Sequence, residues 1–310
     1  MLFSIPVTAR LPVLPLVPVL DDARAPAVPL TALDTVWFQL TGTLCNIACR
    51  HCFITCGPKE TRVPMMDAAR VRQFLDEAEA LGARDYYFTG GEPMMHPEFW
   101  PLVDDTLARG PLTVLTNGIL IDADAAARAR RAFDRARYSL DLRVSLDGMS
   151  AEENDPVRGK GTFDEIVAGI AQLARAGLSP AITVVEHRAG MAAEAARTSF
   201  LAFARSLGLL HPRVKFLPLL RIGREERRTH GYGDDEVATL ADLTLASEVI
   251  DAVVCSSSRL VTAHGVSTCP ILLDAPDAVL GATLAESLRP IHLRWAACKT
   301  CVVEGLTCRT

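Results

Sequence analysis

Three cysteines stand close together in the stretch TGTLCNIACRHC, residues 41–52. Three residues separate Cys45 from Cys49, and two residues separate Cys49 from Cys52. A structural zinc ion takes four ligands, commonly as two CxxC-type pairs, and no fourth cysteine follows here at a matching spacing. A [4Fe–4S] cluster is normally bound by four cysteines, so three would leave one iron open to another ligand. An open coordination position is typical of a catalytic rather than a structural metal site.

A second group of cysteines lies near the end of the sequence and comprises Cys255, Cys269, Cys298, Cys301 and Cys308. Four thiolates suffice for one more metal centre, but zinc and iron–sulfur sites both use tetrahedral thiolates, so the ligand type leaves both open. Cys56 follows the first triplet and is predicted to be a packed or reactive thiol. Nine cysteines, an odd number in two groups, favour metal sites in a reducing compartment over a disulfide framework.

The segments that must position these cysteines alternate between strand and helix patterns from residue 35 onwards. The strand candidates are VWFQLT, DYYFTG, LTVLTNG, LRVSLDG, AITVVEH and RVKFLPLL, and the helix candidates cover about 66–81, 97–109, 122–135, 162–176 and 191–207. This alternation implies parallel strands with right-handed crossovers. Six such units predict an α/β fold, a partial (β/α)6 TIM-type barrel or a strongly curved open sheet, with functional groups at the carboxyl ends of the strands.

Composition divides the chain into three predicted parts. Residues 1–34 are a proline-rich arm, expected to lie extended on the surface or to be disordered, residues 35–250 are the barrel, and residues 251–310 are a small cysteine-rich module. The net charge of −5 argues against a nucleic-acid binder. The sequence contains no run of 18 apolar residues, so no membrane span is predicted. The apolar start has no signal-peptide pattern, so a cytoplasmic location is expected.

Two further motifs follow later strands. In YYFTGGEPMMHPEF (86–99), Gly90 and Gly91 allow the backbone to approach a ligand closely, and Glu92 offers a carboxylate to an ammonium group. An ordinary strand-to-helix turn is the alternative for this stretch. The segments VSLDG (144–148) and NDPVRGKGTFDEI (154–166) contribute Ser145 and Arg158, and an arginine fork suits a carboxylate.

Taken together, the CxxxCxxC, GGEP and RGxGxF motifs resemble the radical S-adenosylmethionine (radical SAM) superfamily of its SPASM/twitch type. The resemblance implies a [4Fe–4S] cluster on Cys45, Cys49 and Cys52, with SAM bound at the open iron. The residues that it implies at the cofactor are Phe53, Gly90, Gly91, Glu92, Asn117, Ser145 and Arg158. The sequence departs from the family in one position, because His51 stands before the third cysteine where an aromatic residue is usual.

The resemblance extends to the second cysteine group, since Gly265 precedes Cys269 as in the hairpin of SPASM or twitch modules. It implies one auxiliary [4Fe–4S] cluster, for which the favoured ligands are Cys255, Cys269, Cys298 and Cys301. Cys308 is then a replacement for one of these or a spare thiol. A structural zinc site remains the alternative.

By resemblance, the chain is a radical SAM oxidoreductase that cleaves SAM reductively to a 5′-deoxyadenosyl radical and abstracts hydrogen from a peptide, a protein or a small molecule. The auxiliary cluster would accept the second electron, and flavodoxin or ferredoxin would supply the first. The proline-rich arm is too short for the leader-binding domain of many peptide-modifying relatives, which favours the alternative of a natural-product dehydrogenase or epimerase. The GGEP and Arg158 motifs count against a further alternative, a non-enzymatic iron–sulfur redox protein.

No catalytic acid or base is assigned. His96 and His187 are expected to be structural, and residues 221–235 are expected to form a solvated loop that could face the substrate.

Overall fold

Six parallel strands with intervening helices form the centre of the computed structural model, which describes residues 19–245 and 253–304. In chain order these elements are β2 (Thr35–Gln39), α1 (Ala68–Ala80), β3 (Asp85–Thr89), α2 (Phe99–Leu107), β4 (Leu112–Thr116), α3 (Ala123–Arg135), β5 (Leu140–Ser145), α4 (Ala151–Arg158), α5 (Thr162–Arg175), β6 (Ala181–Val185), α6 (Glu194–Ser206) and β7 (Arg213–Leu217). The strands lie side by side in this order. The predicted α/β fold with a partial (β/α)6 barrel is confirmed.

Helix α4 is the one barrel helix that the sequence pattern did not predict. It lies within the stretch identified as a motif and contains Pro156, which has no N–H to donate within a helix. The segment after the helix is held by Asp155, whose carboxylate accepts hydrogen bonds from the amides of Gly161 (2.6 Å) and Phe163 (2.9 Å). These local hydrogen bonds fix the chain after a helix whose interior proline is disfavoured by intrinsic propensity.

The two faces of the sheet are covered by different apolar clusters. The larger core lies between the strands and the helices and includes Phe38, Phe74, Phe88, Leu102, Val144 and Ile170. A smaller cluster fills the inner face, where the ring of Trp37 stacks on Tyr87 with centroids 4.0 Å apart and Leu260 packs beside them. Alternate residues of a strand point to opposite faces, so the same strands supply both clusters.

The cysteine-rich segment continues the barrel sheet. Strand β8 (Ser258–Thr262) pairs in parallel with β2, and β9 (Gly265–Ser267) and β10 (Val279–Gly281) add antiparallel strands, giving the order β10-β9-β8-β2-β3-β4-β5-β6-β7. The hairpin predicted around Gly265 is present, with φ +120° at this residue. Further elements after β7 are α7 (Glu226–Thr229), α8 (Leu240–Leu245), β11 (Ile291–His292) and α9 (Ala297–Val303).

The described part of the arm, residues 19–34, binds to the C-terminal segment. Strand β1 (Ala27–Val28) pairs antiparallel with β11, and the amides of Val19 and Leu20 donate to the carbonyl of Arg294. Residues 19–34 are therefore held by defined backbone pairing, and Ala25 and Val28 within them are buried. Residues 1–18 and Cys308 lie outside the described part of the chain. Among the described helices, none combines the length and apolar composition that crossing a membrane would require.

Candidate functional site

The three clustered cysteines lie on the long loop, residues 40–67, that connects β2 to α1 at the carboxyl edge of the sheet. A bridge between Leu44 and Gly57 closes this loop, and the amide of Cys45 donates to the carbonyl of Gly57 at 3.1 Å. The amide of Cys52 donates to the carbonyl of Cys49 at 3.3 Å, which forms a tight turn between the second and third cysteine. The loop therefore brings the cysteines together by local turns, as their spacing predicts.

Each of the three sulfurs has an N–H group of the protein nearby. Asn117 Nδ2 lies 3.7 Å from Cys45 Sγ, Arg158 Nη1 lies 3.9 Å from Cys49 Sγ, and the backbone amide of Cys56 lies 3.3 Å from Cys52 Sγ. Donors placed in this way stabilise negative charge on sulfur and tune a metal that the sulfur binds.

Burial acts on these thiols in the opposite direction. It raises the pKa of Cys45 to about 12 and that of Cys49 to about 11. Both thiols are therefore protonated in the metal-free protein at neutral pH, and a metal that binds their thiolates must displace these protons. Cys56 is buried, its pKa is raised, chiefly by its hydrogen bond with Cys52, and it packs beside Cys45 and Ile54.

The GGE segment after β3 packs directly against the cysteine loop. Gly90 has φ +149°, and a Cβ at this position would lie 2.3 Å from Thr41 Oγ1. A Cβ on Gly91 would lie 2.0 Å from the carbonyl oxygen of Leu44. The two glycines are thus required for a close approach to the loop that carries the cysteines, and their approach to a ligand stays a prediction.

Glu92 is fully buried at the centre of this arrangement. Its Oε1 accepts hydrogen bonds from the amide of Met94 (3.1 Å) and from Thr116 Oγ1 (2.8 Å), and its Oε2 accepts one from the amide of Asn117 (2.7 Å). Burial raises the pKa of Glu92 to about 7, although these hydrogen bonds act to lower it. The side chain of Asn117 also donates to Asn46 Oδ1 at 2.7 Å, so the end of β4 is tied both to Glu92 and to the cysteine loop.

Asp147, which the sequence analysis did not single out, organises the other side of the site. Its Oδ2 lies 2.6 Å from His51 Nε2 and 2.8 Å from Arg158 Nε, and its Oδ1 accepts from the amide of Val185 at 2.8 Å. Burial raises the pKa of Asp147, but Arg158 and His51 outweigh it and hold that pKa well below the usual range. The histidine that departs from the family pattern is therefore bound to the carboxylate that also holds Arg158.

The remaining residues predicted at the cofactor lie at the same edge of the sheet. Ser145 ends β5, two positions after Arg143, whose guanidinium carbon lies 5.4 Å from the centre of the inward-facing Tyr87 ring. Ser145 therefore lies on the inner face at the rim of the barrel. Phe53 is half-buried and packs against the apolar residues around both cysteine groups.

The two histidines predicted to be structural are hydrogen-bonded to backbone. His96 Nε2 lies 2.9 Å from the carbonyl oxygen of Met66, and His187 Nδ1 lies 3.1 Å from that of Val185. The loop 221–235 does contact the site, because Arg224 hydrogen-bonds the cysteine loop. The charged residues of this loop do not by themselves indicate, from the sequence, that it contacts the cysteines.

The second cysteine group lines one apolar cavity. Cys255 lies in the short 3-10 turn Val254–Ser256, Cys269 follows β9, and Cys298 and Cys301 lie on α9, one turn apart. All four face the same cavity, together with Ile271, Ile291 and Leu293. Burial raises the pKa of Cys255 and of Cys298. Four thiols around one apolar cavity fit the ligand set of a [4Fe–4S] cluster.

In the part of the chain that the structure describes, no three cysteine, histidine or carboxylate side chains are placed to bind one metal ion together. Each cysteine of a [4Fe–4S] cluster binds a different iron, so its ligand sulfurs do not have to meet at one atom.

Residues 40–187 match the family model of the radical SAM superfamily. Among curated proteins, a mycofactocin maturase, MftC, of Mycolicibacterium smegmatis is 36% identical over 146 residues, which cover 46% of this chain and 36% of that protein. An AdoMet-dependent heme synthase of Methanosarcina barkeri is 32% identical over 136 residues, 43% of this chain and 37% of that protein. The chain thus matches little more than a third of the length of these relatives.

Two solved structures share the fold. Streptococcus suis SuiB bound to the precursor peptide SuiA matches with a TM-score of 0.58 and 14% identity, over 80% of this chain and 61% of that chain. A structure of anSMEcpe with bound AdoMet also has a TM-score of 0.58 and 14% identity, over 82% of this chain and 79% of that chain. These two structures show the likeness of the fold, and the family match and the motif residues lead to one conclusion: residues 40–187 form a radical SAM domain.

Proposed function

We propose that this chain is a radical SAM oxidoreductase that acts on a peptide or protein and contains two iron–sulfur clusters. The observation that carries the proposal is the convergence of Cys45, Cys49 and Cys52 with Glu92 and Arg158 at one edge of the barrel sheet. A peptide substrate is supported by the similar fold of SuiB, which has been solved with its precursor peptide, and by the sequence similarity to a maturase. Flavodoxin or ferredoxin is proposed as the electron donor.

The residues present fit both cofactors. Cys45, Cys49 and Cys52 would bind the first [4Fe–4S] cluster, and Cys255, Cys269, Cys298 and Cys301 would bind an auxiliary one. When bound, these groups and SAM supply a 5′-deoxyadenosyl radical for hydrogen abstraction and an acceptor for a second electron.

Glu92 and Arg158 would bind the amino-acid part of SAM. A carboxylate can accept about four hydrogen bonds. Three protein groups donate to Glu92, so one acceptor position remains for the ammonium group of SAM. Arg158 has five N–H donors, of which one faces Asp147 and one faces Cys49, so others remain for a carboxylate.

The other residues of the site would orient and shield the bound cofactor. Asp147 would keep the Arg158 guanidinium in place, since a buried arginine without this partner would be costly. Gly90, Gly91, Asn117 and Ser145 would line the cofactor along the strand ends. The half-buried ring of Phe53 would help to exclude water, which strengthens every electrostatic contact in the site.

Iron analysis tests the proposal. Anaerobically reconstituted protein should contain about eight irons per chain, and replacing Cys45, Cys49 and Cys52 by Ala should leave about four. Cys56→Ala is the matched control, because this thiol lies in the same loop but outside the triplet, and it should retain both clusters. Reduced wild-type protein should release 5′-deoxyadenosine from SAM, and the triple variant should not. If the triple variant kept all its iron, the first site would not be a cluster site.

A further inference from the structure

The segment that follows β7 runs along the loop that carries the first three cysteines. Arg224 lies in this segment and makes three hydrogen bonds to the loop. Its Nη1 donates to the carbonyl of Cys49 at 2.8 Å, its backbone amide donates to the carbonyl of Cys52 at 3.1 Å, and its Nη2 donates to the carbonyl of Cys56. One residue thus binds the backbone at three cysteines, two of which are proposed cluster ligands.

The neighbouring glycine makes this contact possible. Gly223 has φ +63°, and a Cβ at this position would lie 2.3 Å from the carbonyl oxygen of Phe53 and 2.8 Å from that of Cys52. Any other residue would both strain the backbone and push the segment away from the loop. The segment and the cysteine loop are therefore in direct backbone contact.

The position of Arg224 is set from the opposite side by the cysteine-rich segment. Ile222 is buried in the apolar cluster that includes Cys255, Cys269 and Cys298. Tyr232 Oη lies 2.7 Å from Thr300 Oγ1, between Cys298 and Cys301 on α9, and the guanidinium of Arg221 lies 4.3 Å from the centre of the Tyr232 ring. Residues on both sides of Arg224 are thus anchored beside the second cysteine group.

We propose that Arg224 is a positioning residue for the first cluster: its guanidinium fork holds the backbone at Cys49 and Cys56 so that the cysteine triplet keeps its geometry, and its charge raises the reduction potential of the cluster. The charge around its sulfurs is one means by which a protein tunes an iron–sulfur cluster, and the charge of Arg224 acts to lower the pKa of Cys49 and of Cys52. The hydrogen bonds of Arg224 go to backbone carbonyls, so they act on the position of the loop. The inference rests on the proposed function only in requiring a cluster on the triplet.

Two substitutions separate the fork from the charge. Arg224→Lys keeps the positive charge but presents a single ammonium group, which cannot reproduce the planar fork between two carbonyls. Arg224→Gln removes both. Arg131→Gln, at an exposed position of α3, is the matched control for the loss of an arginine charge far from the site.

The readouts are the rate at which a chelator removes iron from the first cluster, the electron paramagnetic resonance spectrum of the reduced cluster, and its midpoint potential. We expect both variants to lose this iron at least about tenfold faster than wild type, while iron of the second site is released at the wild-type rate. The midpoint potential should become more negative in Arg224→Gln and stay near the wild-type value in Arg224→Lys. Arg131→Gln should match wild type throughout.

The outcomes distinguish this inference from the proposed function. If wild-type protein bound no iron at the triplet, the proposed function itself would fail. If wild type bound iron and both variants released it at the wild-type rate with an unchanged potential, the role of Arg224 would be wrong and the function would stand. If Arg224→Gln did not fold, Arg224→Lys would decide alone: fast iron release at an unchanged melting temperature supports the inference, and wild-type release contradicts it.

Discussion

At the scale of single residues, two buried carboxylates next to the cysteines have opposite electrostatic environments. Asp147 contacts Arg158 and His51, and these two contacts keep the pKa of Asp147 well below its usual range. Glu92 is bound by neutral donors from Met94, Thr116 and Asn117, so burial decides its pKa. Ionised Asp147 therefore stabilises the folded protein at neutral pH. Ionised Glu92 destabilises it unless a positively charged ligand group binds to the carboxylate.

Glu92 predicts a pH dependence of the metal-free protein. Its folded pKa of about 7 lies above the ordinary value of 4.5. Its stabilising contribution is therefore complete below about pH 4.5 and is lost as the pH rises through about 7. Between about pH 5 and pH 8, we expect the free energy of unfolding of the wild type to fall by up to about 3 kcal/mol relative to that of Glu92→Gln. Chemical denaturation of both proteins across this pH range measures the difference.

The control for this experiment is Glu98→Gln, which changes a half-exposed glutamate in the same segment. It should keep the pH dependence of the wild type. Identical pH profiles for wild type and Glu92→Gln would show that Glu92 carries no shifted proton.

At the scale of elements, close packing between loops places the site, and glycines permit that packing. The end of β3 approaches the cysteine loop at Gly90 and Gly91, and the segment after β7 approaches it from the other side at Gly223. The cysteine loop is therefore enclosed between two segments that lie far apart in the sequence. Its geometry depends on both.

Gly223→Ala tests the second of these contacts. The substitution places a side chain in left-handed backbone, which costs about 1–2 kcal/mol, and adds a clash with the carbonyl of Phe53. Gly82→Ala is the matched control, because Gly82 has φ +84° and open space around its Cβ position. Thermal denaturation should show a larger loss of stability for Gly223→Ala than for Gly82→Ala, and iron of the first site should be retained less well. Equal losses in both variants would mean that the segment yields without disturbing the loop.

At the scale of the whole molecule, the arm, the barrel and the cysteine-rich segment are joined by backbone hydrogen bonds. The amide of Asp34 donates to the carbonyl of Ser257, and β8 pairs with β2. The division into residues 1–34, 35–250 and 251–310 remains a proposal, and the described contacts cross both of its boundaries. The arm also reaches the second cavity indirectly, because β1 pairs with β11, whose Ile291 lines it.

Val28→Asp tests whether the arm stabilises the second cysteine site. Val28 is 1% exposed and belongs to the apolar cluster around Cys255, Cys269 and Cys298, so a carboxylate there lacks a partner and should lower stability by at least about 2 kcal/mol. Iron of the second site should be released faster, and hydrogen exchange at β11 should increase, while the first site keeps its iron. Val19→Asp, at a position that is 42% exposed, should behave as wild type. If Val28→Asp kept its second-site iron as well as the wild type does, the arm would not be needed to stabilise the second site.

The sequence by itself determined the features whose signal is local. Strand and helix periodicity predicts the barrel, and the spacing of Cys45, Cys49 and Cys52 predicts a shared site, because one turn of backbone brings such neighbours together. The GGE motif likewise lies within a few residues of its strand end.

Only the tertiary structure decided which distant residues meet these motifs. Arg224 binds the carbonyl of Cys49 across 175 positions, and Asp147 binds His51 across 96. The same holds for the pairing of β1 with β11 and for the addition of β8 to the barrel sheet. A hydrogen bond between residues so far apart leaves no pattern in either stretch of sequence, since the folded path of the chain, not its local spacing, brings donor and acceptor together.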